Sequence, residues 1–269
     1  MNYKLHQNHI LCQKPGVCYI GLMSISSQVK ILYEDENMVL INKPAGLIVH
    51  GDGKREEESV AQWMLAHYPE SESVGEQNIP ENQSTLPILR SGIVHRLDKE
   101  TSGVLALAKN QKAFLHLKKQ FQDRETEKIY HTFVYGIMKK DEGTIDRPIA
   151  RSRRDFRLWS AQRGGRGELR EAITDYEVLF RGDDFTFVQV KPKTGRTHQI
   201  RVHFKAINHP LVCDKLYAPK QKSKLGFERL ALHARKLKLL NLDGKHIEVE
   251  APYPPDFENA IKRIGYLPH

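Results

Sequence analysis

The chain predicts an α+β fold around a largely antiparallel, mixed sheet, on three observations. Short runs rich in β-branched and aromatic residues outnumber stretches with helical spacing. Tight turn signals join many of those runs. Neither an internal repeat nor a composition break interrupts residues 29–250, so the runs belong to a single domain with flanking helices. At 39% hydrophobic residues over 269 positions, the chain can bury a sizeable core, and a wholly disordered reading is excluded.

Residues 1–28 carry no clear period and read as an N-terminal extension without its own fold. Met23, followed by SISSQ, offers an alternative start that leaves residues 1–22 outside the native protein. From Val29, VKILYEDENMVLINKP holds two strands around an acidic-Asn turn, stopped by Pro44. Val60, Trp63, Met64 and His67 have helical spacing within residues 57–68. Residues 69–88 are acidic and polar with three prolines and read as a long loop.

GIVHRLDKETSGVLALAKN, residues 92–110, sets a dense polar run between a strand-like GIV and a strand-like VLALA. Asn110 then caps a short helix with Phe114, Leu117 and Phe121 on one face. KIYHTFVYG (128–136) is a strand. Residues 151–170 hold seven arginines beside Phe156 and Trp159, a candidate RNA clamp. AITDYEVLF and FTFVQVKP form an antiparallel pair joined by RGDD. Ile200, His203, Phe204 and Ile207 mark a third helix, and a strand, an Asp243-Gly244 hairpin turn and a second strand follow. Residues 253–269 read as a C-terminal tail.

Lys and Arg number 42 against 33 Asp and Glu, a formal charge of +9 that favours an anionic partner. The three cysteines, Cys12, Cys18 and Cys213, have neither disulfide-framework nor zinc spacing and read as free thiols of a reducing compartment. No apolar run reaches the ~18 residues of a membrane span, and the N-terminus lacks a signal-peptide pattern. The expected location is cytoplasmic, with no membrane partner.

Two clusters carry candidate chemistry. An Asp in a loop ordinarily stabilises the turn through its own backbone. Asp98, however, stands among His95, Arg96, Thr101, Ser102 and Gly103, and a nearby guanidinium keeps a nucleophilic carboxylate ionised. Gly103 is expected to let the backbone leave the loop sharply. In KPKTGRTHQIRVH, Lys193, Arg196, His198 and Arg201 crowd a Gly turn that opens a helix, a setting that suits phosphate as well as a solvated basic face.

HRLDKETSG, KIYHTFVYG and KTGRTHQIRVHF, in that order, with INKPAGLIVH upstream and LALHA downstream, resemble the RluA-type RNA pseudouridine synthases. The resemblance runs from about residue 30 to 252, taken as the catalytic domain 29–252. It implies the pseudouridine synthase fold with a central active-site cleft, and isomerisation of uridine in RNA by breaking the glycosidic bond, turning the base and rejoining it through carbon. It places the family's essential aspartate on Asp98, the aromatic that stacks on uracil on Tyr130, the basic partner of the aspartate on Arg201 and a pocket leucine on Leu232. His95, Arg96, Lys193, Arg196 and His198 are expected to meet the RNA.

The residues fit this chemistry independently. Uracil is a poor leaving group, which an ionised Asp held by Arg would address. A uridine in folded RNA must be flipped out, and Tyr130 would give it a stacking surface. Attack on the sugar and attack on the base ring both remain open. No metal, redox or nucleotide cofactor is required. Ribosomal RNA of the large subunit is the expected target, with transfer RNA the alternative; the chain is expected to act as a monomer with no obligate protein partner. A non-catalytic RNA-binding protein would use the same basic surface without needing Asp98. A glycoside hydrolase would need a second carboxylate across the bond, and only Glu100 is near.

Overall fold

The structure, a computed structural model, describes residues 24–51, 57–76, 90–153, 155, 158–161 and 166–267. Residues 1–23 of the expected 1–28 extension, with Cys12 and Cys18, lie outside the described residues, as do 77–88 of the long loop and Arg154, Phe156, Arg157 and Arg163 of the Arg-rich stretch.

Strands β1 (Lys30–Glu34), β2 (Met38–Lys43) and β3 (Ser102–Ala108) form an antiparallel meander. Strands β4 (Glu127–Tyr135), β5 (Glu142–Asp146), β9 (Ile173–Arg181) and β10 (Phe185–Pro192) build a second antiparallel group. Strand β11 (Leu232–Leu240) joins the two, giving the order β1-β2-β3-β11-β4-β10-β9-β5, with β12 (His246–Glu250) paired to β11. Among the described strands only β11 and β3 run parallel, through His233–Ser102 and Ala234–Gly103. Strands β6 (Ile149–Arg151), β7 (Trp159–Ser160) and β8 (Arg166–Arg170) make a small separate sheet from the Arg-rich region. The architecture is the expected mixed α+β one.

Strand alternation gives the sheet two apolar faces. Val39, Ile41, Leu105 and Leu107 pack against Trp63 and Met64 of helix α1 (Val60–His67). Their neighbours Met38, Leu40, Val104 and Ala106 pack against Phe114 and Leu117 of helix α2 (Gln111–Gln122). Across the sheet, Val134, Val188 and Val190 meet Ile200 and Phe204 of helix α3 (Gln199–Ala206). Phe133 and Phe187 meet Phe257 and Ile261 of helix α4 (Pro255–Arg263).

Local signals set these helices. Ser59 caps α1 in a reciprocal capping box with Gln62, and Asn110 accepts the Ala113 N–H to cap α2. Helix α4 occupies the stretch expected to be a tail; Pro255 at its first turn and Asp256 suit a helix start, and Phe257, Ala260 and Ile261 are its buried side. Residues 69–73 of the expected loop form a 3-10 turn led by Pro69. GIV is not a strand: its one ladder contact is the bridge from Ile93 to Leu107. Gly92 passes so close to Ala108 that a Cβ would stand 1.9 Å from the Ala108 carbonyl oxygen, so the backbone turns past the sheet there.

Candidate active site

The segment 95–101 leaves the core beside α2 and enters β3, and its backbone is tied at several points. The Thr101 N–H donates to the Asp98 carbonyl at 3.0 Å, closing a turn directly after the aspartate. The Lys43 ammonium, fully buried, donates to the carbonyls of Pro44, Leu47 and Lys99. Burial, then the charge of Arg229, pulls its pKa down to about 7. Arg229 donates to the Glu100 carbonyl at 2.9 Å and the Ser102 hydroxyl at 3.2 Å, and its own carboxylate partner is Asp256 of α4. Gly103 has a different task from the sharp exit expected of it. It lies inside β3 at φ +116°, where a Cβ would stand 2.1 Å from the Ala234 carbonyl oxygen; glycine permits the parallel strand to approach.

Asp98 opens onto a cavity of about 530 Å³. Its lining includes His95, Arg96, Tyr130, Lys193, Arg196, His198, Arg201 and Leu232. Every candidate residue read from the sequence therefore meets one space, although the residues come from 95 to 232 in the chain. Arg201 donates to the Asp98 carboxylate at 3.0 Å. The His198 ring stands 3.8 Å from the other carboxylate oxygen. Tyr130 is half-buried, and the loss of solvent around its phenol, then the Asp98 charge, pushes it well above the usual range, so it is neutral at physiological pH.

Arg201 is held from behind by a residue the sequence reading missed. Its Nε and Nη2 donate to the two oxygens of Asp214, both at 2.8 Å, a bidentate pair. The Asp214 side chain is 0% exposed and also accepts the backbone N–H groups of Leu216 and Tyr217. The guanidinium lies over the Tyr217 ring, 5.0 Å from its centroid. Burial works against the Arg201 charge, but Asp214 and Asp98 outweigh it and hold the guanidinium protonated. Tyr217 shares a 2.9 Å hydrogen bond with His198, and burial first pushes its phenol up to about 12. Burial pulls the His198 ring below its usual value, against the opposing pull of Asp98. One signal for Asp214 lay in LVCDKLY: a carboxylate in an apolar run is costly unless paired.

The expected RNA-facing residues divide. Arg96 is exposed at the cavity. Lys193 pairs with Asp175 at 3.1 Å, and Arg196 donates to the Glu171 carbonyl at 3.0 Å. His95 stacks on Phe121 at 4.2 Å, and its Nε2 accepts the Ala106 N–H of β3 at 2.9 Å while the residue also lines the cavity. Burial pulls its pKa down to about 3. His198 itself is the N-cap of α3, at φ 55° and without a side-chain cap. Nearby, Trp159 of the Arg-rich region lies under Arg151 at 4.2 Å, and its backbone N–H donates to the Tyr217 hydroxyl.

A partly buried carboxylate–guanidinium pair sharing a cavity with a half-buried tyrosine, and with cations in the lining, marks an enzyme site open to a polyanion. The chain belongs to the RNA pseudouridylate synthase family, whose sequence model matches residues 37–206, and it is a pseudouridine synthase, an isomerase acting on RNA. It is 33% identical to an uncharacterized RNA pseudouridine synthase of Bacillus subtilis, over 98% of this chain and 82% of that one. It is 35% identical to the ribosomal large subunit pseudouridine synthase D of Haemophilus influenzae, over 90% of this chain and 73% of that one. The solved human RNA pseudouridylate synthase domain containing 4 superposes with a TM-score of 0.66 at 27% identity, covering 87% of this chain and 92% of that one.

Proposed function

We propose that the chain isomerises uridine in ribosomal RNA of the large subunit, with Asp98 as the nucleophile and the target uridine flipped out of its helix. The observation that carries the reading is the 3.0 Å pair of Asp98 and Arg201 inside the cavity that Tyr130 and Leu232 also line. Relatives named for the large ribosomal subunit support the choice of RNA.

In this reading the unstacked uracil rests on Tyr130, with Leu232 against it. Asp98, paired with Arg201, forms a covalent bond to the nucleotide as the glycosidic bond breaks. Tyr130, neutral because of burial, offers no second negative charge to repel that anion. The detached base turns within the cavity and its C5 bonds to the sugar; the bond to Asp98 breaks, C5 gives up its proton, and the N1 freed from the sugar gains one. Arg96, with His198, Lys193 and Arg196 of the same lining, holds the strand, and His95 supports the segment. The unit responsible is residues 29–252, with α4 packed onto it, acting as a monomer in the cytoplasm.

Mapping pseudouridine in RNA from cells with and without the gene tests the target. The reading expects loss at discrete positions of large-subunit ribosomal RNA. Loss confined to transfer RNA would move the target there and leave the chemistry standing. An Asp98→Asn chain that still converts uridine at the wild-type rate would overturn the nucleophile.

A further inference from the structure

We propose that Lys128 binds a backbone phosphate of the RNA strand next to the flipped nucleotide; this rests on the RNA reading above. Lys128 lies on β4 two residues before Tyr130, and both line the cavity. Of the cations on that wall, Lys118 pairs with Glu76, and Arg124 pairs with Glu171. Among the described residues Lys128 has neither a carboxylate nor a hydrogen-bond acceptor, although it is half-buried. Burying a charge without a partner costs free energy, and an anion entering from solvent removes that cost.

The chemistry of the wall selects phosphate over the base. Two residues of strand place Lys128 about 7 Å along β4 from Tyr130, outside a uracil ring stacked on that tyrosine. Arg124, which also lines the cavity, is close enough for its charge to act on Lys128, and such a field favours an anion and gives a neutral uracil carbonyl little. Burial, then Arg124, pulls the Lys128 pKa below its usual value, the response of an ammonium that lacks a counter-ion. A phosphate would reverse it.

The test uses the full chain and an RNA fragment that the wild type modifies. Lys128→Gln should raise KM about tenfold, leave kcat within about threefold, and lower the slope of log kcat/KM against log salt by about 1. Lys128→Arg should recover most of the KM. Replacing single phosphates flanking the target by uncharged methylphosphonates should weaken the wild type at one linkage, and the Gln variant should be indifferent at that linkage. A Gln variant with lower kcat but unchanged KM and salt slope overturns the proposal, as does one unchanged in all three. A wild-type chain that converts no uridine in any RNA would instead overturn the reading on which the proposal stands.

Discussion

Arg201 and Arg229 are built alike and placed differently. Each guanidinium carries a carboxylate partner behind it, Asp214 or Asp256, and each reaches forward to the segment 98–102. Arg201 reaches the Asp98 side chain inside the cavity, whereas Arg229 reaches the Glu100 carbonyl and the Ser102 hydroxyl outside it. Their surroundings differ in the same sense. Asp214 is wholly buried and Tyr217 lies against Arg201, while Asp256 stays 23% exposed at the start of α4. The guanidinium that grips a reacting carboxylate is backed by a fully buried partner, where electrostatics are strong. A group that only anchors backbone can stand at the edge of solvent.

The sharpest break of this comparison is at Asp98. Asp98→Asn should lower turnover by about 10⁴-fold or more while RNA binding, measured by filter retention, stays near wild type. Next is the partner behind. Asp214→Asn should lower kcat by about 10- to 100-fold, as loss of an orienting partner commonly does, without the near-complete loss expected of Asp98→Asn. Circular dichroism of that variant should match wild type; kcat equal to wild type would show that Asp98 and Tyr217 alone orient Arg201.

Arg229→Met acts on the other member. It leaves Asp256 without its partner and the segment without its anchor, and should cost about 1–2 kcal/mol in denaturant unfolding, with less than a tenfold change in kcat. A kcat loss as large as that of Asp214→Asn would erase the distinction between the two arginines.

The smallest effect is one of pH. His233 shares a 2.9 Å hydrogen bond with Ser102 beside Arg229, and burial, with Arg235 and Arg229 after it, holds its pKa at about 3. The unfolded ring takes a proton below about 6.5, and the folded ring refuses it until about 3. The unfolded state therefore binds more protons in this window, and stability falls as pH drops through it. The loss due to this ring should reach about 2 kcal/mol by pH 5 in urea titrations. His131, held at about 4 mainly by burial, adds to the loss in the same direction. His233→Gln should flatten the pH dependence; an unchanged profile would assign it elsewhere.

Much of the fold was legible because its signals are local. The alternation in VKILYEDENMVLINKP, the Asn110 cap and the Asp243-Gly244 turn each depend on a few neighbouring residues. Helix α4 was missed because nine residues after a Pro-rich stretch look like a tail until Phe133, Phe187 and Phe227 supply the surface its apolar side covers. GIV misled because three apolar residues suit a strand, but the turn at Gly92 leaves them one bridge.

The site divides in the same way. Asp98, Tyr130, Arg201 and Leu232 were found through motifs, and the fold lines one cavity with them. Asp214, Tyr217, Lys43, Lys128 and Arg229 escaped because each matters through what it faces, and no spacing along the chain encodes that.

Residue identities alone determined the class of fold, the basic balance and the family's motifs, since propensity, charge and short spacings are properties of the chain itself. The tertiary structure decided which carboxylate stands behind Arg201, and which lysine enters the cavity without a partner. Those depend on burial and on distances across the sheet, and a charge acquires its meaning only when its surroundings lose their water.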